Sequence, residues 1–106
     1  MNSVSVIICS YNEEKNVVGV VDQTLNVLGG FCDDYEVIVV DDGSVDRSLS
    51  ILRQYYAANP KIKIIVHPQN QGIGAALKDG YALAEKSYVT FLPADGQISP
   101  GDVYLL

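Results

Sequence analysis

Four short apolar runs constrain the fold of this 106-residue chain more than any other feature of its sequence. Each run is continuous and rich in Val, Ile or aromatic residues, which predicts a strand that is buried on both faces. Polar stretches with helical periodicity separate the runs, and strands that alternate with helices indicate an α/β fold. We therefore predict a parallel β-sheet with helices on both faces. The four runs span Val4–Cys9, Tyr35–Val40, Ile62–Val66 and Tyr88–Leu92.

Three helices are predicted between these strands, because apolar residues recur there every three or four positions. Gly29 and Gly30 are expected to end the first helix, and the second is expected to end near Asn59. Asp46 or Ser44 is expected to cap the start of the second helix. The apolar residues that mark these helices are Val17, Val21, Leu25 and Leu28, then Leu49, Leu52 and Tyr56, and last Ile73, Ala76, Leu77 and Ala84.

A further helix start is predicted near the end of the sequence, where Ser99 is followed by Pro100. Only six residues follow Pro100, so we expect residues 1–106 to form a single, truncated domain. The alternative is a domain that is naturally short. A truncated sheet edge needs cover, which predicts either a homo-oligomer or partial exposure of apolar residues. Those residues are Val103, Leu105 and Leu106.

The charge balance and the apolar content exclude several classes of protein. The chain has 7 Lys and Arg against 13 Asp and Glu, a net charge of −6, which argues against a nucleic-acid partner. The longest apolar runs have four residues, as in Val37–Val40, whereas a membrane-spanning helix needs roughly 18. The first residues lack the pattern of a signal peptide. Cys9 and Cys32 form no C-x-x-C pair, and we expect two reduced thiols in a cytoplasmic protein.

Polar segments follow each predicted strand, and ligands of open parallel sheets bind at the carboxyl ends of the strands. These segments are Ser10–Glu14, Asp41–Asp46, His67–Gly74 and Pro93–Gln97. The first segment lacks the G-x-G-x-x-G pattern of dinucleotide-binding folds, and the chain has no G-x-x-x-x-G-K-[ST] loop. The sequence therefore favours a ligand site of another kind at this edge.

Two of these segments place carboxylates where a ligand is expected. Asp42 can accept hydrogen bonds from a ribose hydroxyl or a base N–H, although Asp41 and Asp42 can equally form a solvated turn. Asp95 is a candidate ligand for Mg²⁺ or Mn²⁺, which bind through one or two carboxylates together with substrate phosphates. Its alternative role is that of a turn residue. His67 is the only histidine, and we interpret it as a solvated loop residue.

Taken together, the segments resemble the nucleotide-binding half of the family 2 glycosyltransferases. These are inverting enzymes with a GT-A fold, and they include dolichol-phosphate mannose synthase and bacterial cell-envelope sugar transferases. The matching motifs occur in the family's order and cover nearly the whole chain. They are Val6-Ile7-Ile8-Cys9-Ser10-Tyr11-Asn12-Glu13-Glu14, Glu36-Val37-Ile38-Val39-Val40-Asp41-Asp42-Gly43-Ser44 with Asp46, Asn70-x-Gly72-x-Gly74-Ala75-Ala76 with Gly80, and Phe91-Leu92-x-Ala94-Asp95-Gly96-Gln97 with Pro100.

The resemblance implies a site for a nucleoside-diphosphate sugar. Tyr11, Glu13 and Asp42 would contact the nucleoside, and Asp95, as the second aspartate of the family's D-x-D motif, would hold Mg²⁺ or Mn²⁺. Gln97 would lie beside the sugar or the phosphates. The donor-binding residues implied are Cys9, Tyr11, Glu13, Val40, Asp42, Ala94, Asp95 and Gln97.

The chain departs from the family pattern at two positions. Cys9 replaces a small residue or proline, and Pro93 replaces the first aspartate of D-x-D, so that Asp95 is left as the only metal-binding carboxylate of the motif. The catalytic base and the acceptor site are expected beyond Leu106. The implied function is transfer of a sugar to a lipid-phosphate, polysaccharide or other hydroxyl acceptor, in the cytoplasm or at the cytoplasmic face of a membrane.

Three alternatives stay open on the residues alone. The first is a catalytically inactive nucleotide-binding or interaction module derived from the same fold, which Pro93 favours. The second is a nucleotidyltransferase, although Ser10–Glu13 lacks the expected glycine and arginine. The third is a phospho-receiver domain, which would need an acceptor aspartate after the third strand, where this chain has Val66-His67-Pro68.

Overall fold

The structure, a computed structural model, describes residues 3–96, in which strands and helices alternate as the apolar pattern predicts. The fold is therefore α/β, as expected. The elements are β1 (Ser3–Ser10), α1 (Val17–Phe31), β2 (Asp34–Asp42), α2 (Ser48–Tyr56), β3 (Ile62–His67), α3 (Ile73–Leu83) and β4 (Tyr88–Pro93).

The strands of residues 3–96 form one sheet in the order β3-β2-β1-β4. Every pair is parallel: Ile7 pairs with Ile38 on one side and with Phe91 on the other, and Asp42 pairs with His67. The chain runs outward from β1 to β3 and then crosses to the far side of β1. Such a reversal of strand order is the usual place for a ligand site in open α/β sheets.

Two hydrophobic cores cover the two faces of the sheet. Alternate residues of β1 point to opposite faces, so that Val6 and Ile8 pack beneath α1 and α2, whereas Ile7 packs beneath α3. This arrangement explains why apolar residues occur on both faces of the strands. Helix α3 lies closest to the sheet at Gly80, where an added Cβ would stand 2.6 Å from Cγ2 of Ile7.

The prediction that Gly29 and Gly30 end the first helix is wrong. Helix α1 continues to Phe31, and the N–H of Cys32 still donates to the carbonyl of Leu28 at 2.8 Å. Glycine only weakens a helix, and here the burial of Leu28 and Cys32 against the core keeps the last turn in place.

The strands also extend further than their apolar runs. Strand β2 continues through Asp41 and Asp42 because the ladder pairs Asp41 with Ser10 and Asp42 with His67. The predicted helix at Ser99 and the apolar edge at Val103, Leu105 and Leu106 lie outside the described residues. Within residues 3–96, no helix is both long and apolar enough to cross a membrane.

The buried carboxylate of Glu36 links neighbouring strands near their amino-terminal ends. Glu36 accepts hydrogen bonds from the Ser5 hydroxyl at 2.6 Å and the Glu85 N–H at 2.8 Å, and it pairs with Lys63 at 2.7 Å. Burial alone would raise the pKa of Glu36, but these partners outweigh burial and lower it. Three strands and the end of α3 are thereby fixed far from the carboxyl-end loops.

Candidate functional site

An open pocket of about 230 Å³ lies at the carboxyl ends of β1, β2 and β4 and beside the start of α3. Polar residues from separate loops meet there because parallel strands all end at the same edge of the sheet. The volume suits a nucleobase with part of its ribose better than a whole nucleotide sugar. Six of the residues predicted from the sequence line this pocket: Cys9, Tyr11, Glu13, Asp42, Ala94 and Asp95.

Two other predicted residues are not among the described lining residues. Val40 is fully buried and packs in the core beneath α3. The contact that the resemblance implies there comes from the main chain near Val40, and it stays a prediction. Gln97 lies outside the described residues. The pocket is completed by residues that the sequence did not single out as ligands, among them Ser10, Asn70 and Ile73.

The loop after β1 is held in place by the loop after β2. Asn12 adopts a left-handed backbone conformation with φ of 53°, and its Oδ1 accepts a hydrogen bond from the Val45 N–H at 2.9 Å. The N–H of Asn12 donates to the Ser44 hydroxyl at 3.0 Å, and that of Glu13 donates to the Ser48 hydroxyl at 2.9 Å. These bonds fix the backbone at Asn12 and Glu13. They thereby position the side chains of Tyr11 and Glu13, which line the pocket.

Asp41 and Asp46 serve that same loop pair. Asp41 is 1% exposed and accepts hydrogen bonds from both the N–H and the hydroxyl of Ser44. Asp46 accepts bonds from the N–H and hydroxyl of Ser48, the first residue of α2, although the N-cap position predicted for Asp46 or Ser44 is occupied by Arg47. The aspartates of this turn therefore have different roles: Asp41 and Asp46 hold the loops in place, whereas Asp42 faces the pocket.

Asp42 lies at the centre of a buried charge cluster. Its Oδ1 is 2.7 Å from Nδ1 of His67 and accepts a hydrogen bond from the Gln71 N–H at 2.9 Å. Its Oδ2 accepts one from the Gly72 N–H, also at 2.9 Å. The other ring nitrogen of His67, Nε2, is 2.6 Å from Oδ2 of Asp79 in α3. One imidazole thus bridges two carboxylates.

The cluster stabilises the charged forms of His67 and Asp42. Hydrogen bonds that His67 donates to Asp42 and Asp79 raise the pKa of His67 despite burial, which by itself would lower it. For Asp42, burial alone would raise the pKa, but the bonds from His67, Gln71 and Gly72 outweigh burial and lower it. We conclude that Asp42 is an ionised carboxylate that can only accept hydrogen bonds.

The interpretation of His67 as a solvated loop residue is wrong, since its side chain is 5% exposed. Its partners Asp42 and Asp79 stand 25 and 12 residues away in the sequence, and nothing local points to them. One signal was available: in a parallel pair, the last residue of β3 lies opposite the last residue of β2, and these residues are His67 and Asp42.

Ser10 presents a polar group without a protein partner. The residue is 1% exposed and lines the pocket, yet among the described residues its Oγ makes no hydrogen bond. Buried hydroxyls are nearly always paired. The unpaired Oγ is what a site completed by a ligand would show.

Asp95 lies at the mouth of the pocket, just past the end of β4. Pro93 pairs with Cys9 across the ladder, and the Ala94 N–H donates to the Cys9 carbonyl at 3.0 Å. These contacts hold the backbone that leads into Asp95. Burial, with a smaller effect of the Asp42 charge, raises the pKa of Cys9 to about 11. Its thiol is therefore protonated at neutral pH and is a poor metal ligand.

A divalent ion in this pocket would find few protein ligands. Residues 3–96 contain no cluster of three His, Cys, Asp or Glu side chains that could hold a metal. Asp95 supplies a hard oxygen donor of the kind that Mg²⁺ and Mn²⁺ prefer. The donor set fits such an ion only if a bound diphosphate contributes further oxygens.

Comparisons with known proteins agree with this fold. The family model of glycosyl transferase family 2 matches residues 5–106. Chondroitin synthase of Escherichia coli is 36% identical over 96% of this chain and 14% of its own length. A dolichyl-phosphate beta-glucosyltransferase of Trichomonas vaginalis is 32% identical over 96% of this chain and 33% of its own length. The chain thus spans a third or less of these curated relatives.

Solved structures repeat the fold. A mannosyltransferase of Pyrobaculum calidifontis, solved in complex with GDP-Man and Mn²⁺, matches with a TM-score of 0.76 and 26% identity, over 87% of this chain and 27% of that one. TarS of S. aureus, solved in complex with UDP-GlcNAc, matches with a TM-score of 0.72 and 30% identity, over 88% of this chain and 26% of that one.

Proposed function

The chain belongs to glycosyl transferase family 2, and we propose that it forms the donor-binding part of an enzyme that transfers a sugar from a nucleoside-diphosphate sugar. The observation that carries this proposal is the pocket at the carboxyl ends of the strands, where Tyr11, Glu13 and the ionised Asp42 converge. The relatives act on dolichyl phosphate or make chondroitin, as their names state. A lipid-phosphate or glycan acceptor is accordingly our proposal for the whole protein.

Asp42 recognises the base through its acceptor-only carboxylate. A carboxylate has about four lone-pair sites, and the hydrogen bonds that Asp42 accepts within residues 3–96 use two on Oδ1 and one on Oδ2. One site on Oδ2 is left for a ligand. Uracil and guanine present an N–H on their ring edge, whereas the corresponding ring nitrogen of cytosine or adenine presents a lone pair. The site therefore favours UDP or GDP donors.

Tyr11 and Glu13 complete the nucleoside site. The Tyr11 side chain is 45% exposed at the pocket, and an exposed aromatic ring there offers a surface on which a base can stack. Glu13 accepts a hydrogen bond from the Asn16 amide at 3.0 Å and has lone pairs left for ribose hydroxyls.

Asp95 would hold a Mg²⁺ or Mn²⁺ ion against the diphosphate. Bound there, the ion would neutralise the charge that grows on the departing nucleoside diphosphate. A metal ion would also explain how an acidic chain binds a diphosphate, because a net charge of −6 repels that anion when no metal is bound. An acceptor hydroxyl would displace the diphosphate at the anomeric carbon, with its proton taken by a carboxylate outside residues 1–106. Cys9 and Cys32 are not joined in a disulfide, which suits a reducing compartment such as the cytoplasm.

We expect the 106-residue chain to bind UDP or GDP at least about tenfold more tightly than CDP or ADP, because only the first two donate a ring N–H to Asp42. Isothermal calorimetry with the four nucleotides measures this difference. Tyr11→Ala should weaken the preferred nucleotide, whereas Tyr55→Ala, at an exposed tyrosine of α2 outside the pocket, should not. Absence of binding by all four nucleotides to the folded chain would overturn the donor-site assignment.

Metal and nucleotide should bind cooperatively through Asp95. Because linkage is reciprocal, Mn²⁺ and UDP or GDP should raise each other's affinity by the same factor, about 5- to 150-fold. Paramagnetic broadening by Mn²⁺ with and without the diphosphate measures the coupling. Asp95→Ala should abolish it, and Pro93→Asp should strengthen metal binding.

The control for that experiment is Asp33→Ala, which removes an exposed carboxylate away from the pocket. It should leave the coupling unchanged. Coupling that survives Asp95→Ala would make Asp95 a turn residue. Nucleotide binding with no metal effect in any variant would instead favour the alternative function, a nucleotide-binding module without catalysis, in which Pro93 marks the loss of the metal.

A further inference from the structure

We propose that His67 is a positioning residue: as a cation between Asp42 and Asp79, it orients the Asp42 carboxylate for the nucleoside and makes nucleotide affinity depend on pH. This inference rests on the proposed function, because it assumes that Asp42 contacts the nucleoside. His67 itself does not line the pocket, and neither does Asp79.

The geometry requires the charged form of the ring. Nδ1 lies 2.7 Å from an oxygen of Asp42, and Nε2 lies 2.6 Å from an oxygen of Asp79. A neutral imidazole carries one N–H, so one of these contacts would then bring two lone pairs together. Only the imidazolium donates to both carboxylates. Among the described residues, Asp42 at the end of β2 and Asp79 in α3 are the charged groups that act on the ring.

The ring helps to determine where Asp42 points. Two of the three hydrogen bonds to Asp42 within residues 3–96 come from backbone N–H groups of Gln71 and Gly72, and the third comes from His67. When His67 loses its proton, one of the two carboxylates loses its donor. Asp42 is then held less firmly, by the two backbone bonds alone, and the net charge beside the diphosphate site becomes more negative by one. Both changes weaken binding of an anionic nucleotide.

Asp79 allows the positioning role to be tested at a distance from the ligand. Its side chain is 47% exposed, it lies on α3, and its carboxylate contacts His67. Replacing it removes one of the two charges that keep His67 protonated, so His67 should lose its proton at lower pH. A residue with only a structural role would change stability without moving the pH profile of nucleotide binding.

The experiment follows two signals across pH in the wild type and in Asp79→Asn. Because His67 is the only histidine, its ring signals in NMR spectra report its protonation directly. Calorimetry with UDP or GDP, whichever binds, reports affinity. In the wild type, affinity should be constant at low pH and fall about tenfold as pH rises through the His67 midpoint, which is the loss expected for one charged hydrogen bond.

In Asp79→Asn, both the His67 midpoint and the fall in affinity should move to lower pH together, with the affinity at low pH preserved. Asp79→Glu keeps the charge and should restore the wild-type profile. Asp33→Asn removes one exposed carboxylate elsewhere and should shift neither signal. The terminal phosphate of the nucleotide titrates near pH 6, but it does so equally with every variant, so the difference between variants isolates His67.

The outcomes separate the two proposals. If nucleotide binds and its pH profile is the same in the wild type and in Asp79→Asn, the positioning role is wrong and the donor site stands. If no nucleotide binds to any variant at any pH, the proposed function fails and the positioning role fails with it. A His67 midpoint that does not move in Asp79→Asn would show that the bridge is absent.

Discussion

Gly43→Ala is expected to lower the free energy of unfolding by about 3 kcal/mol or more, among the larger losses that one substitution produces. Gly43 has a φ of +74°, which L residues rarely adopt. An added Cβ would stand 2.3 Å from the carbonyl carbon of Gln69 and 2.4 Å from the nitrogen of Asn70. Both are backbone atoms, so no side chain can turn aside to relieve the overlap.

The same overlap should damage the site. Asn70 lines the pocket, and the segment from Gln69 to Gly72 carries the N–H groups that hold Asp42. A methyl group on Gly43 would push this segment outward, and nucleotide affinity should fall together with stability. Urea unfolding followed by circular dichroism measures the first effect, and calorimetry on the folded fraction measures the second.

Two other glycines separate backbone strain from overlap. Gly72 has a φ of +93° with open space around its Cβ position, so Gly72→Ala should cost about 1–3 kcal/mol from strain alone. Gly19 lies inside α1 with no atom within 4 Å of an added Cβ, and Gly19→Ala should stabilise the protein by about 0.5–1 kcal/mol. A Gly43→Ala variant that loses no more stability than Gly72→Ala would contradict the steric overlap with the Gln69 backbone.

Asp42→Ala is expected to cost about 3–5 kcal/mol of stability at neutral pH, because it leaves the buried charge of His67 with one partner instead of two. The N–H groups of Gln71 and Gly72 lose their acceptor in the same step. Asp41→Ala is the matched control: Asp41 is also buried, but within residues 3–96 its side chain bonds only to Ser44 in its own turn. Its loss should cost about 1 kcal/mol, the value of ordinary hydrogen bonds.

The cost of Asp42→Ala should depend on pH in a definite direction. Asp42 has a lowered pKa, so its contribution is present above the ordinary range of a carboxyl group and is lost as pH falls through its folded pKa. His67 has a raised pKa, so its contribution is complete below the ordinary imidazole value and is lost as pH rises through its folded pKa. The stability difference between wild type and Asp42→Ala should therefore be largest between these two limits.

A double variant tests whether the stability loss of Asp42→Ala comes from the His67 charge, which has then lost one of its two partners. Asp42→Ala combined with His67→Leu removes the cation as well as its partner, so it should be more stable than Asp42→Ala alone. Unfolding in urea at several pH values measures all three proteins. A double variant that is simply the sum of two losses would show that the Asp42–His67 pair contributes no coupling.

Much of the architecture followed from local patterns in the chain. Continuous apolar runs such as Val37–Val40 can only be satisfied by burial on both faces, which requires a parallel sheet between helices. Because parallel strands end at one edge, the polar segments after them were bound to meet, and Tyr11, Glu13, Asp42 and Asp95 do line one pocket. The family motifs pointed to the same edge and to the same class of enzyme.

Other features depended on contacts between distant parts of the chain. Helix α1 passes through Gly29 and Gly30 because packing outweighs their weak local preference. Gly43 is required by the backbone of Gln69, which arrives from the next βα loop. His67 became a bridging cation because the register of β2 and β3 and the path of α3 bring Asp42 and Asp79 to opposite sides of one ring. Such charge pairing needs distances of about 3 Å, which only the packed chain defines.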